Sequence, residues 1–410
     1  MLGKNTILRG GFGTYYSVYE QVFFPGPTKP PFGTGHTIRT TNTIATTSDF
    51  TLDNLFPPLP VQASGFVIPG TVSPNQVPDI NTITPRLMNV NAAAQHSLTS
   101  NLTVEVGYAW KRGEHLSNFK AINPCVPYSQ PCQLDPVYKT QIRYYKNFAQ
   151  IYMSVLDGRN FYHSGYARMT RRFSKGLSFD ASYTWSQNIS EGYDSMSNDI
   201  FQGGDAGATV ADLTKPKPWL NNNRKRSLLD VPNKFVVNGI YELPVGKGKR
   251  LLGNASGTAN RIVGGWQVSW ITMFQSGQVV DLTGFGQARF LPGQGRNLKR
   301  MDFRTTGYFF DPNLFTRERV GTDLVPPNCF RGAGINNWDI SLLKEVPISE
   351  RHRIQLRADF FNAFNHAQFE TPQHRIYGPG FGKFVPVLDD NKGNSVRPPR
   401  SIQVALRYTF

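Results

Sequence analysis

The sequence predicts an all-β fold, an antiparallel transmembrane β-barrel wall of about ten strands with long extracellular loops and short periplasmic turns. Three observations predict it. Apolar and polar residues alternate with period two over stretches of about nine residues or more. The connections between those stretches sort into short and long in turn. The last strand ends on aromatics, Tyr408-Thr409-Phe410.

Composition narrows the class. The 410 residues carry 44 Lys+Arg against 28 Asp+Glu, a formal net charge of +16, and 13% are aromatic. A chain with 29 Phe and 17 Tyr is not disordered by composition. Mean hydropathy is −0.37, and no apolar run approaches the roughly 18 residues of a spanning helix. The most apolar stretch, 263–274, is broken by Gln267, Ser269 and Thr272. A pI near 9.8 invites a nucleic-acid reading, but the basic residues are scattered, so no nucleic-acid partner is expected. The opening MLGKNTILRGG has no apolar run of the secretory kind. Either the chain is cytosolic or this is not the natural start of the mature protein.

The strands follow in order of clarity. At the chain end, Ile402, Val404, Leu406, Tyr408 and Phe410 oppose Ser401, Gln403, Ala405, Arg407 and Thr409. Within 351–361, Ile354, Leu356, Ala358 and Phe360 oppose Arg353, Gln355, Arg357 and Asp359. The stretches 177–186 and 102–110 behave alike, and 5–19, 87–98, 160–173, 234–243, 263–283 and 336–346 complete the set. Such lengths match the roughly 9–11 residues that a tilted strand needs to cross a bilayer.

Links at 97–100, 174–176 and 347–350 are tight turns, and 244–262 is of intermediate length on the short side. Those near 20–86, 112–159, 190–233, 284–335 and 362–399 are long and rich in Gly, Pro, Asn and Thr. A soluble sandwich has no reason to sort its loops this way. An outer-membrane barrel has short periplasmic turns and long extracellular loops.

The segments LRGGFGTYY (8–16), LTVEVGYAWKRGEHL (102–116), RRFSKGLSFDASYTWSQNI (171–189), FVVNGIYELPVGKGKR (235–250), GGWQVSWITMFQSG (264–277), GINNWDISLLKEVPISERHRIQLRADFFNAFNHAQF (334–369) and PPRSIQVALRYTF (398–410) carry a family resemblance. The sequence resembles the C-terminal part of a TonB-dependent outer-membrane receptor of the Oar-like type. The stretch 334–369 is its most specific part. The resemblance implies residence in the cell outer membrane, contact with its lipid, and nutrient uptake. It implies a single portion spanning 1–410, with the plug and TonB box of a barrel of about 22 strands outside this chain. TonB would then act only through those N-terminal parts. Tyr408 and Phe410 would serve as the assembly signal that the barrel-assembly machinery reads. The ligand is an unknown nutrient, an oligosaccharide among the candidates. Closure of ten strands as a self-contained pore or adhesin, and a soluble carbohydrate-binding β-protein, are the alternatives.

No catalytic, cofactor-binding or metal-ligating set is expected. The glycine clusters lack a Gly-Lys-Ser/Thr sequence, the seven His include no i, i+4 pair, no Cys pair has CxxC spacing, and no Gly-x-Ser-x-Gly elbow occurs. An outer-membrane protease would gather groups such as Asp194, Asp199 and His163 at the extracellular rim. His366, Asn362 and Asn365 are expected to shape the loop where a strand leaves the membrane. Cys125 and Cys132, flanked by prolines, either close a small loop disulfide or stand as free thiols, and Cys329 has no obvious partner. Arg353, Arg357, Asp359 and Arg407 are the candidate lumen-lining residues. They either pair structurally or bias the wall towards anionic substrates. Trp185, Trp266, Trp270 and Trp338 suit interfacial girdles or ordinary packing on the apolar face.

Overall fold

The computed structural model describes residues 5–17, 76–78, 83–121, 123, 134–137, 142–143, 145–146, 148, 151–191, 224–280, 289–291, 301–316, 323–324, 330–349, 351–369, 372, 380–383 and 399–410. Ten long strands form one sheet: β1 (Thr6–Tyr16), β2 (Arg86–Thr99), β3 (Leu102–Ala121), β4 (Tyr152–Ser174), β5 (Leu177–Glu191), β6 (Asn233–Glu242), β7 (Trp266–Gln275), β8 (Ile335–Pro347), β9 (Arg353–Phe361) and β10 (Ser401–Thr409). Each pairs antiparallel with the next, a meander in chain order. Among the described residues β1 and β10 each pair on one side only, so the sheet is open.

The register carries the alternation from strand to strand. Leu406 faces Leu356, Ala358 faces Leu342, Leu342 faces Val268, and Val268 faces Tyr241. One face of the wall is therefore mostly apolar and is also exposed, as Leu406, Val404 and Val106 show. Antiparallel pairing satisfies the backbone within the sheet, which a hydrocarbon environment requires.

All ten expected strands are present, and their bounds differ in two informative places. β3 and β4 run well past the expected ends at 110 and 160, with register shifts near His115, and form a tall hairpin on the long-loop side. β7 stops at Gln275 instead of continuing to 283. Gly277 there lies against the carbonyl of Gly332, and Val279–Val280 pairs with Phe330–Arg331 in a separate small sheet.

The long loops also hold structure that period-two reading does not predict. Arg289–Phe290 pairs with both Phe315–Thr316 and Asp323–Leu324. Val280, Phe309, Phe310, Phe315, Phe330 and Phe381 pack into a buried cluster, with edge-to-face rings 5.1–5.6 Å apart around Phe310. The clustered apolar core thus lies beyond the long-loop ends of the strands. On the opposite side, the 243–265 link contains a short helix, α1 (Gly257–Val263). The Lys247 amide donates to Asn260 Oδ1 at 2.7 Å, which folds the basic Gly246–Arg250 turn against that helix.

Candidate functional site: the polar face of the wall

The second face of the sheet is polar. Ser401, Gln403, Ala405 and Arg407 of β10 face Phe361, Asp359, Arg357 and Gln355 of β9, and Asp359 faces Ser341 of β8. On this side a cavity of about 620 Å³ extends from β4 to β9, lined by Asp180, Asn238, Ser341 and Asp359 together with the apolar Ile240 and Ile271. The strand pattern builds that lining directly. Period two sends every second side chain to one face, and the register places those faces side by side.

Three of the four candidate lumen residues form ion pairs. Arg357 Nε donates to Asp359 Oδ1 at 2.8 Å, and Ser341 Oγ donates to the same carboxylate oxygen. Arg353 pairs with Glu345 at 3.3 Å. Arg407 faces Gln355 on the edge strand and has no ion-pair partner among the described residues.

Further pairs repeat the theme. Arg168 Nε donates to both oxygens of Asp180, at 2.9 and 3.2 Å, while Thr170 Oγ1 donates to Oδ2 at 2.7 Å. Arg9 approaches Glu105 to 3.5 Å, and the Tyr166 hydroxyl donates to the same carboxylate at 2.9 Å. The arginines at 9, 168, 353 and 357 are each matched by a carboxylate on this face. Such pairing weakens a net positive field and leaves hydrogen-bonding capacity for a polar solute.

The remaining expected residues fall as follows. Asn362 and Asn365 both adopt positive φ, 50° and 54°, at the end of β9. The Asn362 side chain accepts from the His366 amide and donates to its carbonyl, both at 3.0 Å, and Asn365 Oδ1 accepts from the Arg400 amide. His163 lies on the apolar face and bonds the Tyr108 hydroxyl at 2.6 Å. Asp194, Asp199, Cys125, Cys132 and Cys329 lie outside the described residues. Trp185 and Trp338 sit towards the long-loop ends of β5 and β8 on the apolar face, where Trp338 joins Phe274 and Phe364 in edge-to-face contacts. Trp266 begins β7 at the opposite end, and Trp270 lies between the two levels. Tyr408 stacks on His352 and Phe410, with ring centroids 5.7 and 5.9 Å apart.

Two features escaped the strand reading. The Arg331 guanidinium forms a buried ion pair with Asp230 and donates to the Asp230 carbonyl at 2.7 Å, tying two extracellular loops together. Lys344 occupies the apolar face near the short-turn end of β8, where its ammonium reaches the carbonyl of Gly264 and lies 5.5 Å from the Trp266 ring centroid. The first pair is separated by 101 residues, so no local pattern announces it. The second is visible as a single break in alternation.

A long-stranded antiparallel meander, apolar on one face and polar on the other, with loops sorted by length, is the wall of a transmembrane β-barrel. The family model for an outer membrane beta barrel domain matches residues 1–403. The chain belongs to that family and resides in the outer membrane. No curated protein matches it. Among solved structures it is similar to the siderophore receptor PiuA from Acinetobacter baumannii, at 8% identity and a TM-score of 0.42, over 100% of this chain and 34% of that one. It is similar to the outer membrane transporter YddB from Escherichia coli at 10% identity and a TM-score of 0.39, over 83% of this chain and 34% of that one. It is also similar to the pyoverdine receptor FpvA from Pseudomonas aeruginosa at 10% identity and a TM-score of 0.36, over 80% and 30% of the two chains. The chain spans about a third of the length of each of these three structures.

Proposed function

We propose that this chain is a C-terminal portion of the wall of a TonB-dependent outer-membrane receptor of the Oar-like type, taking part in nutrient uptake. The observation that carries the reading is the open ten-stranded meander whose second face carries ion pairs and a cavity of mixed polar and apolar lining. A wall with two unpaired edges calls for further strands beside β1 and β10. The polar face, with Arg353, Arg357, Asp359 and Arg407, lines the passage, and its ion pairs hold the wall in register. The extracellular loops make the ligand contacts. TonB acts through parts of the receptor outside this chain, and the barrel-assembly machinery engages the terminal strand at Tyr408 and Phe410. No enzymatic step is assigned.

Uptake of labelled nutrients, oligosaccharides included, by cells lacking this gene or lacking TonB tests the proposal. Loss of the same uptake in both strains supports it. Uptake that needs this gene and persists without TonB would overturn it and establish a passive pore.

A further inference from the structure

On the short-turn side of the wall, the link 243–265 between β6 and β7 is far longer than reversal of the chain requires; between β4 and β5 the reversal takes only Lys175 and Gly176. Its composition is also unlike that of a solvated loop. From 241 to 266 the chain holds four basic residues, Lys247, Lys249, Arg250 and Arg261, against the single acid Glu242. Among them stand three large apolar side chains without cover: Leu251, Leu252 and Ile262 are 54%, 61% and 65% exposed. None of the seven residues of α1 is buried. A helix of two turns has little stability of its own in water and takes it from a surface against which it packs.

The link is nevertheless folded. The Gly246 amide donates to the Leu251 carbonyl and the Leu251 amide to the Pro244 carbonyl, both at 2.9 Å, and the Gly248 amide donates to the Gly253 carbonyl at 3.0 Å. Leu252 holds a φ of 55°, a conformation that bulky side chains avoid. Strain of this kind persists where the surrounding structure imposes it, and here its result is a leucine held out from the protein.

Position says what the ledge meets. The Ile262 carbonyl accepts from the Trp266 indole at 3.0 Å, and the Lys344 ammonium reaches the Gly264 carbonyl. Trp266 faces Lys344, and Lys344 faces Leu356, so all three belong to the apolar face of the sheet. The link therefore lies against the lipid-facing flank of the wall, at the membrane edge where an indole and a lysine mark the interface. A soluble periplasmic partner would need a surface turned away from the lipid, whereas this one continues the lipid-facing surface. Charge points the same way. Lys249 lies 3.4 Å from Glu242, and Lys247, Arg250 and Arg261 have no carboxylate partner among the described residues.

We propose that the 243–265 link is a membrane-docking ledge. Leu251, Leu252 and Ile262 enter the inner leaflet of the outer membrane, and Lys247, Arg250 and Arg261 take the phosphates of anionic phospholipids there. Basic and apolar side chains combined on a short interfacial element bind anionic bilayers in this way, each cation contributing about fivefold in affinity. The ledge fixes the height of the β6–β7 hairpin in the membrane, and it holds whether or not TonB drives the receptor.

The test uses the protein recovered from outer membranes and placed in phosphatidylcholine vesicles with or without phosphatidylglycerol. In a Cys125→Ser/Cys132→Ser/Cys329→Ser background, a nitroxide is attached at Ile262→Cys or, for comparison, at Lys175→Cys in the plain turn. Collision with oxygen and with a water-soluble nickel chelate reads the depth of each label. A label at 262 that is rich in oxygen and shielded from nickel when phosphatidylglycerol is present, with the label at 175 in water, supports the proposal. A label at 262 as accessible to nickel as the label at 175 overturns it, and equal insertion without phosphatidylglycerol overturns the headgroup assignment. A second measurement reads the phosphatidylglycerol that accompanies the protein in native mass spectrometry. Lys247→Gln/Arg250→Gln/Arg261→Gln is expected to weaken its retention about a hundredfold, as three cations at about fivefold each imply. Unchanged retention overturns the proposal.

Discussion

Leu406 and Phe310 are both large apolar side chains, yet 72% of Leu406 is exposed and none of Phe310 is. The first belongs to the wall, the second to the aromatic cluster of the extracellular loops. The wall displays its apolar residues because its solvent is hydrocarbon, and burying them against protein gains little there. The loop cluster hides six residues, five of them Phe, because its solvent is water. One chain therefore follows two opposite rules of burial, and the rule changes where the strands leave the membrane. Ordering differs too. The wall is held by a continuous antiparallel ladder between chain neighbours, whereas the loop cluster is held by contacts between distant segments and by the Asp230–Arg331 pair.

The sharpest way to break that comparison is Phe310→Ala. Emptying a fully buried aromatic site costs about 3–5 kcal/mol. Because the cluster lies outside the ladder, the loss is expected to stay local. Limited proteolysis in outer membranes should cut the 276–334 and 362–400 loops much faster, while the wall strands stay resistant. Cleavage within the wall as well would show that wall and loops are one cooperative unit.

A smaller effect separates the two faces of the wall. Val237 and Asn238 are neighbours near the middle of β6, with Val237 facing Ala181 and Thr272 and Asn238 facing Asp180 and Ile271. Val237→Arg puts a guanidinium into lipid near the bilayer midplane, at about 2–4 kcal/mol. Asn238→Arg puts the same group beside Asp180 on the polar face and is expected to cost close to nothing. Urea unfolding of the two variants in liposomes measures the difference. Equal midpoints would mean that the faces have been assigned to the wrong solvents.

The wall was legible in the sequence and the loops were not, for the same physical reason. Alternation is a local signal, and a strand between lipid and a polar face must obey it residue by residue, as Ile402 to Phe410 do. Given the strands, the short turns fix the register, so that Arg168 and Asp180 come together across a tight hairpin. The pair of Arg357 and Asp359 is readable within one strand. Phe303, Phe309, Phe330 and Phe381 carry no period, and their meeting depends on how two long loops fold over each other. The ion pairing of the polar face lies between these cases. Its residue types were visible, but the choice of Glu345 by Arg353 required the strand pairing. Lys344 broke the pattern because a terminal lysine at the membrane edge reaches a backbone carbonyl instead of lipid.

The finest contrast lies in how the wall turns back on itself. Between β4 and β5 the chain reverses over Lys175 and Gly176, both at positive φ, 50° and 79°. Two consecutive left-handed residues match a type I′ turn, whose twist suits the flanking strands. Glycine takes that conformation freely, whereas a lysine there carries a strain of roughly 1 kcal/mol. Lys175→Gly removes that strain but also loosens the unfolded chain, and these two effects oppose each other. The expected net change is therefore a stabilisation below about 1 kcal/mol. Gly176→Ala should do the reverse, destabilising by about 1 kcal/mol, since the Cβ meets the carbonyl of Glu242 at 3.2 Å as well as the unfavourable φ. Refolding into liposomes followed by urea titration reads both variants. If Lys175→Gly proves more harmful than Gly176→Ala, the wall's register depends on contacts of the Lys175 side chain, and the contrast between a locally encoded wall and non-locally encoded loops narrows.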